Sequence, residues 1–593
     1  MQLKGWLLFM DKNSVVKILE EISIMLELKG ENPFKIRAYQ NAASALEKSD
    51  IDIGKNTQTD ELLKIKGIGR NLADHIKTLA NDENLDFYEE LKESITPELL
   101  ELLKVHSLGP KKVKFLYDNL NIASISDLET AINENKLADL PNFGKKTQEN
   151  ILKGINSIKT FKEFYLFADA ADLAESLVNK LKLNKNIKRA CVAGSLRRKK
   201  ETVKDIDIVA GIIDGADPME VMNYFTGFEE TDEIISKGDT KSAIRLNFGI
   251  NADLRIVEDS KYPYLLNHFT GSKEHNTVLR GIAKDVGIKI NEYGIYKEDR
   301  LMECVDEKDI YALFDMDYIP PELRENNGEF EAALGHSLPK MVDEKDLKGI
   351  FHIHTTFSDG NMSLKALYEK LESENFEYAG ISDHSQSAFY ANGIKEGNIS
   401  AYLSEIDEFC ITNKKIKIFK GIESDILADG SLDYRNETLD KFDFIIAAIH
   451  SNFNLSQEAM TERIIKAIEN RYTTILAHPT GRLLLQREPY KVDMTRIINA
   501  AGENNVAIEI NSSPFRLDLD WRLCKYAKER KVKIFINPDA HNVEDISHYK
   551  YGINIARKGW LEKEDILNTL NKDSMTAFLK DLKNKKNKIH RLI

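Results

Sequence analysis

The chain is poor in cysteine. Its four cysteines, Cys191, Cys304, Cys410 and Cys524, stand far apart and form no CxxC pair. That excludes a disulfide-framed secreted domain and a thiolate metal knuckle, and reads as reduced core thiols of a cytosolic protein. Long hydrophobic runs are lacking too. No apolar stretch reaches the ~18 residues that a membrane helix needs, so no membrane partner is expected. The N-terminal GWLLFM is too short for a signal-peptide core and has no small-residue cleavage site. Met10 opens a better helical pattern, so residues 1–9 read as a start-site extension. Positive charge is in deficit, and a net charge of −13 argues against a polyanion as partner of the surface at large. One region reverses this balance. Between Lys182 and Lys204 nine residues are basic and only Glu201 is acidic. Such a stripe suits phosphate binding, or is a solvated charge run. The basic stretch 580–591 reads as a solvated tail.

A length of 593 residues implies several domains, at ~100–200 residues each. Residues 12–160 read as short helices in which a small pattern recurs. IKGIGRNLADHI, VHSLGPKKVKFL and LPNFGKKTQENI each join a hydrophobic residue, a Gly-centred turn and an amphipathic helix. This is the helix-hairpin-helix pattern. Gly67, Gly69, Gly109 and Gly144 permit tight turns and close backbone approach, and free N–H groups at the following helix start can face a phosphate. One Gly turn between helices is common. Three in one chain point to nucleic-acid backbone binding without sequence readout.

From about residue 187 the texture changes to Val- and Ile-rich strands. Asp205-Ile206-Asp207 places two carboxylates on one strand face, suited to one or two Mg²⁺ or Mn²⁺ ions, and Asp253 on another strand completes the set. The turn Gly194-Ser195, with Arg198 nearby, offers donors to a triphosphate. This arrangement serves in-line phosphoryl transfer. Pro320, Pro321 and Gly328 then break the pattern, and residues 321–345 read as a linker.

Beyond it the chain is regular. GIFHI, YAGIS, IKIFKGI, FDFIIAAI, TTILA, VAIEI and VKIFI are strand-like runs, most of them separated by helical patterns. Seven βα units imply a parallel sheet closing into a barrel. His352, His354, His384, His450, His478 and His541 all stand at or just past strand C-terminal ends, with Asp359, Asp383, Glu423 and Asp539 at matching places. In a parallel barrel those ends share one rim. Imidazole and carboxylate without thiolate suit zinc, manganese or iron, and the number of ligands implies two or three ions that activate water and clamp a phosphate. Arg482, in HPTGR, is a candidate phosphate ligand.

These C-terminal motifs, HIHTTFSDG, SDHS, GIESDIL, AIHS, AHPTGR and PDAHN, resemble the PHP (polymerase and histidinol phosphatase) family. The resemblance implies that His352, His354, Asp359, His384, Glu423, His450, His478, Asp539 and His541 are the metal ligands of a working hydrolytic centre. AGSLRR, DID and NADLRIV, followed by HFTGSKEHNTVLR and INEYGIY, resemble DNA polymerase family X. That resemblance implies triphosphate binding through Ser195 and Arg198, metal binding by Asp205, Asp207 and Asp253, and proton acceptance by Asp253. It further places Phe269, Gly271 and Asn276 at the sugar and base of the incoming nucleotide, Arg280 at the template strand and Lys35 at a 5′-phosphate. Two positions depart from the family. His268 stands where eukaryotic members have Tyr, which leaves sugar discrimination open. His75 stands where members with 5′-deoxyribose-phosphate lyase activity have a Schiff-base Lys.

The expected fold is multidomain, α+β and α/β. A small helical domain at 10–88 is followed by fingers at 89–160, a nucleotidyltransferase palm at 161–262 and a thumb at 263–320. The linker, a distorted seven-stranded PHP barrel at 346–575 and a basic tail at 576–593 complete it. The expected function is short-gap filling in DNA repair on gapped or nicked DNA and 3′ primer ends with deoxynucleoside triphosphates. The two resemblances together further imply a metal-dependent 3′-to-5′ exonuclease in the barrel, whose centre could also incise abasic sites. The rivals are a PHP phosphoesterase acting on a small phosphate ester, and a non-catalytic scaffold binding DNA ends. The hairpins count against the first and the complete ligand sets against the second.

Overall fold

A computed structural model describes residues 12–47, 59–81, 85–105, 108–138, 140–141 and 143–590. Residues 1–9, expected to be a start-site extension, lie outside them, as do His106, Ser107 and Asn142 of the second and third Gly turns. The chain divides after Glu163 into two compact units.

The first unit is helical. Val15, Leu19, Ile22 and Leu26 of the helix Lys12–Lys29 recur at helical spacing, and one apolar cluster runs from them to Ile155, so the regions 10–88 and 89–160 share a core. Gly69 and Gly109 cap the helices Arg70–Ala80 and Pro110–Leu120, and Gly144 opens the helix Gly144–Lys162. At Gly69 and Gly109 φ is −88° and −96°, and among the described residues an added Cβ would meet nothing within 4 Å. Neither the turn nor internal packing therefore requires glycine at these two positions; what it leaves open is the approach from outside. His75 is packed rather than exposed: the Tyr39 hydroxyl lies 3.0 Å from its Nδ1 and Phe87 lies against its ring. Lys35 stands over the Phe87 ring at 4.7 Å.

Among the described residues the second unit holds all the strands. In chain order these are β1 (Tyr165–Leu166), β2 (Ile187–Val192), β3 (Thr202–Val203), β4 (Asp205–Ile212), β5 (Thr231–Lys237), β6 (Lys241–Leu246) and β7 (Asn251–Glu258). Then come β8 (Ile288–Asn291), β9 (Gly294–Lys297) and β10 (Arg300–Leu301). A five-stranded sheet runs β2-β4-β7-β6-β5, with β4 and β7 parallel at its centre and the other pairs antiparallel. Its apolar face packs on the helices Phe167–Lys182 and Pro218–Thr226.

The segment 321–345 is not a loose linker. Arg324 is fully buried, donating to Glu307 and to the Ile319 carbonyl, while Phe330 and Ala333 join the thumb core. Its prolines and glycine mark turns within a packed segment; the buried ion pair could not be foreseen from composition.

The barrel strands are β11 (Gly349–Ile353), β12 (Tyr378–Ile381), β13 (Lys417–Asp425), β14 (Phe444–Ala448), β15 (Ile475–Leu476), β16 (Ala507–Asn511) and β17 (Ile534–Asn537). They are parallel and pair in sequence order, and an Ile353–Ala540 bridge joins the two ends. All seven expected strands are present. Phe351, Phe419, Phe444 and Phe535 fill the interior together with Met575 and Leu579 of the helix Lys572–His590. The expected basic tail is thus a helix that plugs the barrel. Lys583 and Lys586 donate to carbonyls of Asp440 and Thr473. Amphipathic packing, hidden by the density of lysines, overrides the solvated reading. Among the described residues no helix is long and apolar enough to cross a membrane.

Candidate active sites in the palm and the barrel

Parallel pairing of β4 with β7 sets Asp207 opposite Asp253 and Asp205 opposite Asn251. Asp205 and Asp207 share a strand face by the period of two. Burial, reinforced by Asp205 and Asp253, pushes the Asp207 carboxyl up to about 6. Three carboxylates in one place need cations; Lys241 supplies one, 2.6 Å from Asp253. Gly194 is dictated by this site. Its φ is +59°, and a Cβ there would fall 2.0 Å from Asp207 Oδ2.

The carboxylates of Asp205 and Asp207 border a cavity of about 740 Å³, also lined by Gly194, Ser195, Arg198, His268, Phe269, Gly271, Asn276 and Arg280. Asp253 is not on that lining. Asn276 Nδ2 donates to the His268 carbonyl at 2.7 Å, and Arg280 lies 3.2 Å from His268 Nδ1. Burial and then Arg280 lower the His268 imidazole. Phe269 lies under Arg255 at 4.1 Å. The basic stripe is only in part an open surface: Lys182 and Lys185 are exposed, but other members are paired. Lys188 and Arg189 pair with Asp259, Arg197 with Glu307, and Arg198 and Lys200 with Glu325.

In the barrel, alternation along each strand carries core residues into ligands. Phe419 leads to Glu423 and Ala448 to His450, both on the inward face, whereas Asp539 lies past β17 with a positive φ of 54°. His352 and His478 fall out of that alternation, and both have positive φ, 58° and 28°. A register shift in β11 between Ile350 and Ile353 accompanies the first. Such local backbone strain is typical of functional positions. Gly360, in the same motif, packs on the ligand loop, where a Cβ would lie 2.3 Å from the His354 carbonyl oxygen.

Glu423 is the hub, 3.2 Å from His352, 2.8 Å from His384, 3.4 Å from His450 and 3.0 Å from His478. Asp539 lies 3.4 Å from His352 and 3.3 Å from His354. Asp359 stands 3.7 Å from His384 and 3.5 Å from His541. All nine expected ligands therefore converge, in four overlapping groups able to hold an ion. Burial, with His541 and His384 alongside, brings His354 down to about 3, so its ring is a neutral donor. His352 Nε2, both nitrogens of His354, Nδ1 of His384 and of His478, and Glu423 Oε2 are buried without a hydrogen-bond partner. Native interiors leave few such atoms, and this concentration of imidazole and carboxylate donors fits metal ions.

Arg482 does not face this cluster. Its guanidinium is engaged by the Arg516 and Leu517 carbonyls and by Asp520 at 2.6 Å. Arg516 stands there instead, its Nε 3.5 Å from Asp539. Two further carboxylates escaped the sequence reading. Glu509 lies 2.6 Å from His352 Nδ1, and Asp425 lies 2.6 Å from His450 Nδ1. A charged residue within the apolar run VAIEI was the available signal for the first. Asp425 follows Glu423 by two, on the same face.

Family models match a helix-hairpin-helix domain at residues 10–85, a helix-hairpin-helix tandem at 99–157, the DNA polymerase beta thumb at 265–325 and the PHP domain at 351–513. The chain is 36% identical over 575 residues to the DNA polymerase/3′-5′ exonuclease PolX of Bacillus subtilis, covering 96% of this chain and 100% of that one. A probable phosphatase of Thermoanaerobacter is 31% identical over 180 residues, 29% of this chain and 71% of that one. Another, of Clostridium botulinum, is 27% identical over 256 residues, 40% and 90% of the two chains.

Proposed function

Since the chain belongs to the family X DNA polymerases that carry helix-hairpin-helix domains and a C-terminal PHP domain, we propose that it fills short gaps in DNA during repair and trims 3′ ends in its barrel. The observation that carries the reading is the pair of carboxylates, Asp205 and Asp207, in a cavity that is also lined by the thumb residues His268, Phe269, Asn276 and Arg280.

In the palm, Asp205, Asp207 and Asp253 would hold Mg²⁺ or Mn²⁺, which when bound acidifies a 3′-hydroxyl and neutralises triphosphate charge. Asp253 accepts the hydroxyl proton. The Gly194-Ser195 turn and Arg198 orient the triphosphate, and Phe269, Gly271 and Asn276 border the sugar and base. Arg280 touches the template. Lys35 grips a 5′-phosphate, and the helix starts at Gly69, Gly109 and Gly144 meet the backbone of gapped or nicked DNA.

In the barrel, the nine ligands would hold two or three Zn²⁺ or Mn²⁺ ions, which when bound polarise a water and a phosphodiester. Glu509 and Asp425 fix the rings of His352 and His450 so that each turns its other nitrogen inward. Arg516 supports a phosphate oxygen at the cluster. Proteins named as phosphatases match only 29% and 40% of the chain, and a small-ester phosphatase would have no use for the palm cavity.

Primer extension and 3′-end degradation on one gapped duplex, with Mg²⁺ or Mn²⁺, test the reading. Template-directed extension together with metal-dependent shortening is expected. Metal-dependent release of phosphate from small esters without either DNA activity would overturn it.

A further inference from the structure

The barrel contributes a side chain to the nucleotide cavity. Arg522 lies on the barrel helix Trp521–Glu529, yet it lines the same cavity as Ser195, Arg198, Asp205 and Asp207. Its Nη1 donates to Asp520 at 2.7 Å and lies 3.5 Å from Glu201, a buried carboxylate of the turn between Arg198 and β3. The guanidinium rests over the Trp521 ring at 4.6 Å. Arg482 holds the same two carboxylates, 2.6 Å from Asp520 and 3.8 Å from Glu201. Arg482 is nearly enclosed, whereas 55% of the Arg522 side chain remains accessible.

A second link runs beneath the Gly-Ser turn. Lys558, a buried barrel residue, donates to the Arg198 carbonyl at 3.0 Å and to Glu325 at 2.6 Å. Glu325 in turn holds Arg198 Nε and Lys200 Nζ, each at 3.1 Å. The triphosphate side of the cavity is therefore built against the barrel.

We propose that Arg522 binds the triphosphate of the incoming nucleotide and the pyrophosphate that leaves it, so that the hydrolytic barrel completes the polymerase site. The assignment rests on the polymerase reading above. Two carboxylates shared by two guanidiniums leave no net negative charge to repel a phosphate. A guanidinium already seated by Asp520, Glu201 and Trp521 loses little freedom when it meets the ligand. Its planar fork matches phosphate oxygens.

The test uses the full chain with Arg522→Ala and Arg522→Lys. Four quantities are read: KM for the nucleotide in primer extension, KM for pyrophosphate in the reverse reaction, Kd for gapped DNA, and the rate of 3′-end degradation. Loss of one charge-assisted contact should raise both KM values about 10-fold in Arg522→Ala. DNA affinity and degradation should stay near wild type, and Arg522→Lys should recover part of the loss. Unchanged KM values would overturn the assignment. So would a defect confined to DNA affinity, or a parallel loss of degradation, which would mark Arg522 as a structural residue. A wild-type chain that extends no primer would instead overturn the polymerase reading itself.

Discussion

Glu509 Oε1 lies 2.6 Å from His352 Nδ1, with both side chains sealed from solvent. The same carboxylate accepts from the His478 backbone N–H at 3.0 Å and from Asn537 Nδ2 at 3.0 Å. It therefore orients two ligands at once while touching no open coordination position. Replacing such a partner typically weakens metal affinity about 10- to 100-fold. Glu509→Gln, which keeps the shape and removes the charge, should lower the metal retained after dialysis and slow 3′-end degradation, with polymerisation intact. Full metal content in the variant would remove Glu509 from the site.

The two chemistries should separate. Asp205→Ala or Asp207→Ala removes a carboxylate from the palm and should cost several orders of magnitude in primer extension while leaving degradation. His352→Ala or Glu423→Ala should do the reverse. The sites share no ligand, so a double variant should show the product of the single effects. A palm variant that also loses degradation would contradict the division of labour.

The hairpin turns should bind without reading sequence. A Cβ at Gly69 or Gly109 meets nothing within 4 Å among the described residues, so Gly69→Val and Gly109→Val should fold normally. Each should weaken binding to gapped duplexes of different sequence by a similar factor, because phosphate contacts carry no base information. Affinity loss restricted to some sequences would refute the hairpin role.

Lyase chemistry at a 5′-deoxyribose phosphate should be weak or absent. A Schiff base needs an amine, and the pocket of Tyr39 and Phe87 presents His75. Burial lowers its imidazole. Borohydride should trap little enzyme–DNA adduct. Efficient trapping that maps to a Lys within 10–90 would show that another amine acts.

Stability should carry a signature of the plugging helix. Burial pushes the Lys586 amine down to about 8, from 10.5. Below pH 8 both folded and unfolded chains carry the charge, and the folded state bears its desolvation. Between 8 and 10.5 the unfolded chain binds more protons, so stability rises with pH; above 10.5 the penalty is gone. Lys586→Met should therefore stabilise the protein at pH 7, by about 1–3 kcal/mol, and flatten the rise between pH 8 and 10. Thermal melts of both proteins across that range provide the comparison, and equal pH profiles would contradict the buried-charge account.

The sequence by itself determined what depends on local rules. Apolar runs separated by amphipathic stretches specify the seven barrel strands, because burial on both faces demands continuous hydrophobicity. Histidines and acids at the ends of those runs specify the metal rim, because parallel strands bring all their C-terminal ends to one face. Asp205 and Asp207 were legible from a period of two. What only the tertiary structure decided is which distant groups meet. The PTGR and SPFR loops each end in an arginine, and the closure of the barrel alone turns Arg482 toward Asp520 and Arg516 toward Asp539. Positive φ at His352 and His478 re-aims rings that simple alternation would point outward. Arg324 and Lys586 look like surface charges in composition and become a buried and a half-buried one, since their partners lie 17 and 113 residues away. Arg522 belongs to one domain by sequence and to the cavity of another by packing, for the same reason: long-range contacts are set by how elements fit together, which no short window of residues encodes.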